Sequence, residues 1–270
     1  MKPRLFALPY VVWMAIFVVA PVILVIIYAF STPDGDPTLA NFATMGSFTS
    51  VFVRSFRLAI VSTAICIAIG YPVAYFLSRE GLRAQRIMIM LIMLPMWMNF
   101  LLRTYAWMSI LENTGLLNRF LGFVGLPRIN VINTQAAVVI GMVYNFLPFM
   151  ILPVYSVIVK IDRSLMEAAQ DLGANNAAVF RKLIFPLSLP GVLSGVTMVF
   201  VPAVSTFIIS QLLGGGKNML LGDLIEIQFL GAAYNPHLGS AISLVMMVIV
   251  IAFMYVMNRF GEGEDMAVRL

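Results

Sequence analysis

Long apolar runs separated by short polar stretches dominate the chain. Six runs reach the length that crosses a hydrocarbon layer of roughly 30 Å. They lie near Pro9–Phe30, Arg57–Leu77, Ile87–Leu111, Thr134–Val159, Gly191–Leu213 and Gly239–Asn258. The first outlasts the usual ~7–15 apolar residues of a cleaved signal, and no small-x-small site follows it, so it reads as a span. Five of the six contain proline: Pro21, Pro72, Pro95, Pro148 with Pro153, and Pro202. Each removes a backbone hydrogen bond and predicts a kink. The carbonyl it frees must then find a neighbouring helix or water. The pattern predicts an all-α integral membrane chain of six transmembrane helices.

Composition agrees. Of 270 residues, 61% are hydrophobic and 11% charged, against roughly 25% charged in soluble domains. Too few polar side chains remain to cover a water-facing surface, so residues 1–270 read as one transmembrane domain. No internal repeat or low-complexity tract stands out. The net charge of +5 is not a nucleic-acid signal, because the cations sit between apolar runs. They read as topology determinants. With the N-terminus cytoplasmic, the inner side holds Lys2, Arg4, Arg79, Arg83, Arg86, Lys160, Arg163, Arg181, Lys182, Arg259 and Arg269. The outer side holds only Arg54, Arg57, Arg119, Arg128 and Lys217. Both termini are therefore expected on the cytoplasmic side. The single cysteine, Cys66, lies inside an apolar run and reads as a small buried hydrophobe.

The inner loop at about 160–190 alone carries a helical pattern of its own. Ser164 with Glu167 three residues later predicts a capping box, opening a helix that runs to Leu172. Gly173 suits the left-handed conformation that ends a helix. Asn175 or Asn176 can cap a second short helix to about Ile184, with Pro186 and Pro190 expected to end it. The prediction is a two-helix elbow projecting from the membrane.

Glu167-Ala168-Ala169, three residues, Gly173, nine residues, then Leu183-Ile184-Phe185-Pro186 resembles the EAA loop of permease subunits of bacterial ABC importers. Leu183 and Phe185 depart mildly from that pattern. The pieces GYPVAYFLS at 70–78, PMWMNFLLRTYAW at 95–107, VVIGMVYNFLPFMILPVYSVIVKID at 138–162 and LLGGGKNMLLGDLIEIQF at 212–229 resemble permeases of spermidine/putrescine importers, the B-type member above all. The resemblance implies a type I importer fold, a second and non-identical permease subunit, two ATPase subunits, and a soluble receptor outside. It also implies that Glu167, Ala168, Ala169, Asp171, Leu172 and Gly173 form the coupling helix and its turn. ATP and magnesium would sit on the ATPase, with no cofactor on this chain. Related permeases for ferric iron, phosphonate or thiamine are the alternative it leaves open.

Polar residues within and beside the runs are candidates for the substrate path. Arg103, 16 residues after Ile87, would sit about 24 Å along a straight helix, near the outer boundary. There it either snorkels or acts as a gate. Asn99, Tyr144 and Asn145 are costly in lipid and expected to face protein or path. Trp97, Tyr105 and Trp107 offer aromatic faces to an ammonium group, and Tyr105 and Trp107 equally suit an interfacial belt. Asp223 and Glu226 stand in the outer loop before the last run, where a cation would enter.

Gly214-Gly215-Gly216-Lys217 is not a phosphate loop. Gln211 stands where its first glycine belongs, and Asn218 replaces the Ser or Thr that would hold magnesium. One histidine, His237, cannot build a metal cluster or relay from several. A self-sufficient secondary transporter would need ionisable groups deep in its spans, and those are nearly missing here.

Overall fold

The computed structural model describes residues 8–231 and 233–267. Lys2, Arg4 and Arg269, three of the topology residues, lie outside that range. Every extended element is a helix, in the order α1 (Leu8–Ala29), α2 (Ala40–Arg79), α3 (Leu82–Trp97), α4 (Phe100–Leu111), α5 (Leu116–Phe123), α6 (Gln135–Ile158), α7 (Arg163–Asp171), α8 (Asn176–Ser205), α9 (Ile208–Gly214), α10 (Leu221–Leu230) and α11 (Pro236–Ala267). Among the described residues, five helices are long and apolar enough to cross a membrane, or six if the bent α3–α4–α5 unit is one span.

The expected third span is not one straight helix. Leu82–Trp97 and Phe100–Phe123 meet at 91°. Pro95 falls in a tight 3-10 turn over Leu94–Trp97, Met98 is extended, and Asn99 restarts the chain as the cap of α4. Its carboxamide oxygen accepts from the Leu101 and Leu102 amides at 2.8 and 3.4 Å. Arg103 therefore sits in the first turn of a new helix, and its depth cannot be counted along a straight rod from Ile87.

The expected fifth span is also redrawn. Pro186 and Pro190 do not end the elbow's second helix; α8 runs through both to Ser205, and the chain breaks only at Thr206 and Phe207. A π-helical turn at Phe180–Ile184 immediately precedes Pro186. A second π turn, Ala15–Val19, precedes Pro21 at the same offset. Widening the turn draws the opposing carbonyl away from the pyrrolidine ring, which lets a helix continue past proline.

α2, α6 and α8 form the centre, packed pairwise. Met142, Met150, Val138, Val154 and Val199 are sealed between them. Cys66 is buried there as well, with its Sγ 4.0 Å from the Val143 carbonyl. A Cβ at Gly191 would stand 2.9 Å from the Pro153 carbonyl oxygen, and one at Gly195 would stand 2.7 Å from Met150 Sδ. These glycines, four apart, let α8 close on α6 in the small-xxx-small manner of membrane helices. α1 lies outside this centre, packed chiefly along α11, and its side chains are almost all exposed, as suits lipid.

Candidate functional site

The elbow between α6 and α8 is built by caps. Asp162, not Ser164, is the N-cap of α7, accepting from the Ser164 amide at 2.9 Å. That amide holds the Asp162 carboxyl below the usual carboxylate range. The expected Ser164–Glu167 capping box therefore gives way to an aspartate two residues earlier. The far end follows the sequence closely. Gly173 has φ +86°; its amide donates to Gln170 O at 2.8 Å, and the Ala174 amide reaches Ala169 O at 3.0 Å. This crossed pair is a Schellman termination. Asn175 then caps α8 through the Ala178 amide at 2.8 Å, and Gln170 Nε2 donates to Asn176 Oδ1 at 3.0 Å across the turn. The two helices are locked at their junction.

The short helix has two working sides. Leu165, Ala168 and Leu172 are exposed, Leu172 at 90%. At 3.6 residues per turn they share one side. Arg163, Met166, Glu167 and Gln170 fall on the opposite side and line a hollow against the bundle. Ala169 is half-buried against the core, and Asp171 is exposed. Of the six residues expected at the coupling turn, Ala168 and Leu172 form the outward apolar face. Glu167 looks the other way.

Sequence reasoning missed what anchors the elbow. Phe180, in the π turn, meets the Tyr75 ring edge-on at 5.2 Å and the Tyr71 ring at 5.9 Å. Tyr71 also packs on Phe185 at 5.8 Å. Tyr71 and Tyr75 lie four apart on α2, on one helix face, and that spacing was the available signal. These rings tie the elbow to α2.

The eight candidate path residues fall into three groups. Trp97, 77% exposed, Asn99, Arg103 and Tyr105 belong to the bend and α4. Arg103 lies over the Phe100 ring at 5.8 Å, and its Nε is buried without a partner. Tyr144 and Asn145 lie on α6. Tyr144 meets Trp107 edge-on at 5.2 Å, and buried Asn145 donates to Gly141 O at 2.9 Å with its Oδ1 unpaired. Asp223 and Glu226 lie on α10. α9 packs against α4, α6 and α10, so the three groups are disposed around one short helix. Gly215, at φ +60°, ends α9; the glycine run is a helix stop.

Asp223 is buried at 3% exposure, and its Oδ2 accepts from the Leu220 amide at 2.7 Å. Burial pushes its carboxyl up to about 6, against the hydrogen bond from the Leu220 amide, while the nearby Glu226 charge adds to the rise. Glu226 Oε2 is held by Gln211 Nε2 at 2.9 Å.

Comparison with known proteins places this architecture. The family described as "Binding-protein-dependent transport system inner membrane component" matches residues 66–262. The spermidine/putrescine transport system permease protein PotB of Haemophilus influenzae is 38% identical over 269 residues, covering 96% of this chain and 93% of that protein. PotB of Escherichia coli is 36% identical over 247 residues, covering 88% and 90%. Among solved structures, a bacterial ABC transporter that imports the acidic polysaccharide alginate superposes with a TM-score of 0.77 at 17% identity, over 96% of this chain and 94% of that one. The MetNI methionine ABC transporter superposes with a TM-score of 0.60 at 20% identity, over 82% and 97%. With the family match spanning most of its length and two PotB proteins aligned almost end to end, the chain belongs to the binding-protein-dependent transport system inner membrane components.

Proposed function

We propose that this chain is one of two permease subunits of an ATP-driven polyamine importer, and that α7 is where a separate ATPase pushes on it. The observation that carries the reading is the outward apolar face of α7. Leu172, at 90% exposure beside Ala168 and Leu165, sits on an elbow braced at its turn by the Gly173 and Asn175 caps. An apolar knob on a braced helix suits seating in another protein's cleft. Both termini and the elbow lie on the cytoplasmic side, in keeping with the excess of lysine and arginine there. ATP and magnesium are held by the two ATPase subunits, and a soluble receptor delivers substrate at the opposite face. The single transmembrane domain supplies half of the path, the second permease the other half.

Spermidine or putrescine is the substrate favoured by the names of the relatives, and the groups around α9 suit a polycation. Trp97 and Tyr105 present aromatic faces, and Glu226 presents a carboxylate. Arg103 keeps to the wall of the path, and Asn99 serves it by holding the bend.

Site-specific crosslinking in the assembled transporter tests the coupling role. With Cys66→Ala as background, Leu172→Cys should form a disulfide with a cysteine in the ATPase cleft, in a nucleotide-dependent yield. No crosslink from cysteines at Leu165, Ala168 and Leu172 in an intact assembly would overturn the reading.

A further inference from the structure

The hollow between the elbow and the bundle has a volume of about 820 Å³. Its walls come from the ends of α2 and α6, the start of α3, α7, and the first turns of α8. Exposed apolar side chains share those walls: Phe76, Leu82 and Val159 are 67%, 72% and 41% exposed. Two exposed guanidinium groups line the hollow, Arg79 and Arg163, with Glu167 as the one acid among the lining residues. Arg79 lies 5.1 Å from the centre of the Tyr75 ring and donates to the Tyr75 hydroxyl at 3.2 Å. The group is thus oriented by an aromatic neighbour. Arg163 opens α7 directly after its N-cap Asp162, whose carboxylate accepts from the Ser164 amide. Gln85 is spent on the Ser78 and Glu80 carbonyls and the Tyr155 hydroxyl, so it shapes the wall.

We propose that this hollow seats the phosphate headgroup of an anionic lipid from the cytoplasmic leaflet. Arg79 and Arg163 hold the phosphate, and the acyl chains lie on Phe76, Leu82 and Val159. Basic pockets between membrane helices on this side are where such headgroups bind. A free phosphate shares the headgroup chemistry but gains nothing from the exposed apolar side chains. An ATPase seated on Leu165, Ala168 and Leu172 occupies the opposite side of α7 and leaves the hollow open. A headgroup there bridges α2 to α7 and stiffens the elbow. The inference rests on the cytoplasmic placement of α7 proposed above.

The test uses the whole transporter purified in mild detergent from vesicles of phosphatidylcholine and phosphatidylglycerol, with retained lipid measured by mass spectrometry. The wild type should retain phosphatidylglycerol over phosphatidylcholine. The Arg79→Gln/Arg163→Gln double variant should lose that excess by on the order of tenfold, and Arg79→Lys/Arg163→Lys should restore much of it. Equal retention in wild type and glutamine variant would overturn the proposal. Displacement of the lipid by millimolar inorganic phosphate would overturn the lipid as occupant in favour of a free anion. Loss of ATPase subunits from the glutamine variant, restored by lysine without lipid, would assign the hollow to the ATPase and overturn it too. The Leu172 crosslink is read separately, so failure here leaves the coupling role standing.

Discussion

The Tyr71 hydroxyl lies 2.8 Å from Ser188 Oγ, joining α2 to α8 between two buried residues. Ser188 in turn donates to Phe185 O at 2.9 Å, which leaves its oxygen to accept from the tyrosine. Interhelical hydrogen bonds in membranes contribute about 0.6 kcal/mol on average, and up to roughly 1.7. Tyr71→Phe should therefore lower the apparent Tm slightly and leave the elbow docked. Tyr71→Ala also loses the Phe180 and Phe185 contacts, at a cost of about 3–5 kcal/mol by the measure of buried aromatic truncations. Hydrogen exchange over 180–185 should then quicken in the alanine variant and stay near wild type in the phenylalanine variant. Equal exchange in all three would mean the aromatic cluster does not anchor the elbow.

Gly173 carries the turn of the elbow at φ +86°. A Cβ there meets nothing within 4 Å, so the cost of substitution is conformational and not a clash. Left-handed backbone costs a side-chain-bearing residue roughly 1–2 kcal/mol. Gly173→Ala should leave folding of the membrane bundle intact and reduce receptor-stimulated ATP hydrolysis, with Gly173→Asn, a residue that tolerates this region, falling between. Wild-type coupling in the alanine variant would show that the turn need not keep this geometry.

The elbow was legible in the sequence because caps are local. Gly173 and Asn175 act within a few residues of themselves, and their positions held. Asp162 displaced Ser164 because the helix opens two residues earlier, where the aspartate carboxylate accepts from the Ser164 amide. The bend at Asn99 was not legible, because hydropathy measures apolar length and is blind to direction. Leu94, Pro95, Met96 and Trp97 keep the run apolar straight through the corner. Prolines misled in the other direction. At Pro186 one turn widens and the helix continues, so proline alone did not mark its end. The Gly191–Gly195 spacing was there to be read, but two glycines four apart name no partner until α6 is packed against them. Path residues were hardest, since a surface shared with a second subunit and a surface facing lipid both appear as exposure on one chain. Trp97 at 77% and Leu102 at 64% exemplify this.

Asp223 gives a pH signature. Its carboxyl stands at about 6 against an ordinary 3.8, chiefly because it is buried. A raised value in the folded state means that the folded form takes the proton first. Stability from this group is greatest at low pH and is lost as pH rises through about 6. The wild-type Tm in detergent should gain on going from neutral pH down through about 6, relative to Asp223→Asn, which cannot titrate. Glu226→Gln removes the neighbouring like charge and should move the midpoint down. Parallel profiles for wild type and Asp223→Asn would show that the buried carboxyl stays ionised throughout.

Asn99 separates a structural from a substrate-binding reading with three substitutions. Its Oδ1 accepts from two amides at the start of α4, and an N-cap of this kind is worth about 1 kcal/mol over alanine. Serine keeps the acceptor. Aspartate keeps it too and adds a charge that the helix N-terminus favours. If the side chain works by holding the 91° bend, Asn99→Ser and Asn99→Asp should transport spermidine with wild-type KM, and Asn99→Ala should lower the amount of active transporter without moving KM. A direct contact with the cation predicts a different order: aspartate would strengthen it, so KM falls, while serine, too short to reach, would raise it. The geometry favours the first order, because the oxygen that a polyamine would seek is already engaged by the Leu101 and Leu102 amides. A fall in KM confined to the aspartate variant would return Asn99 to the wall of the path.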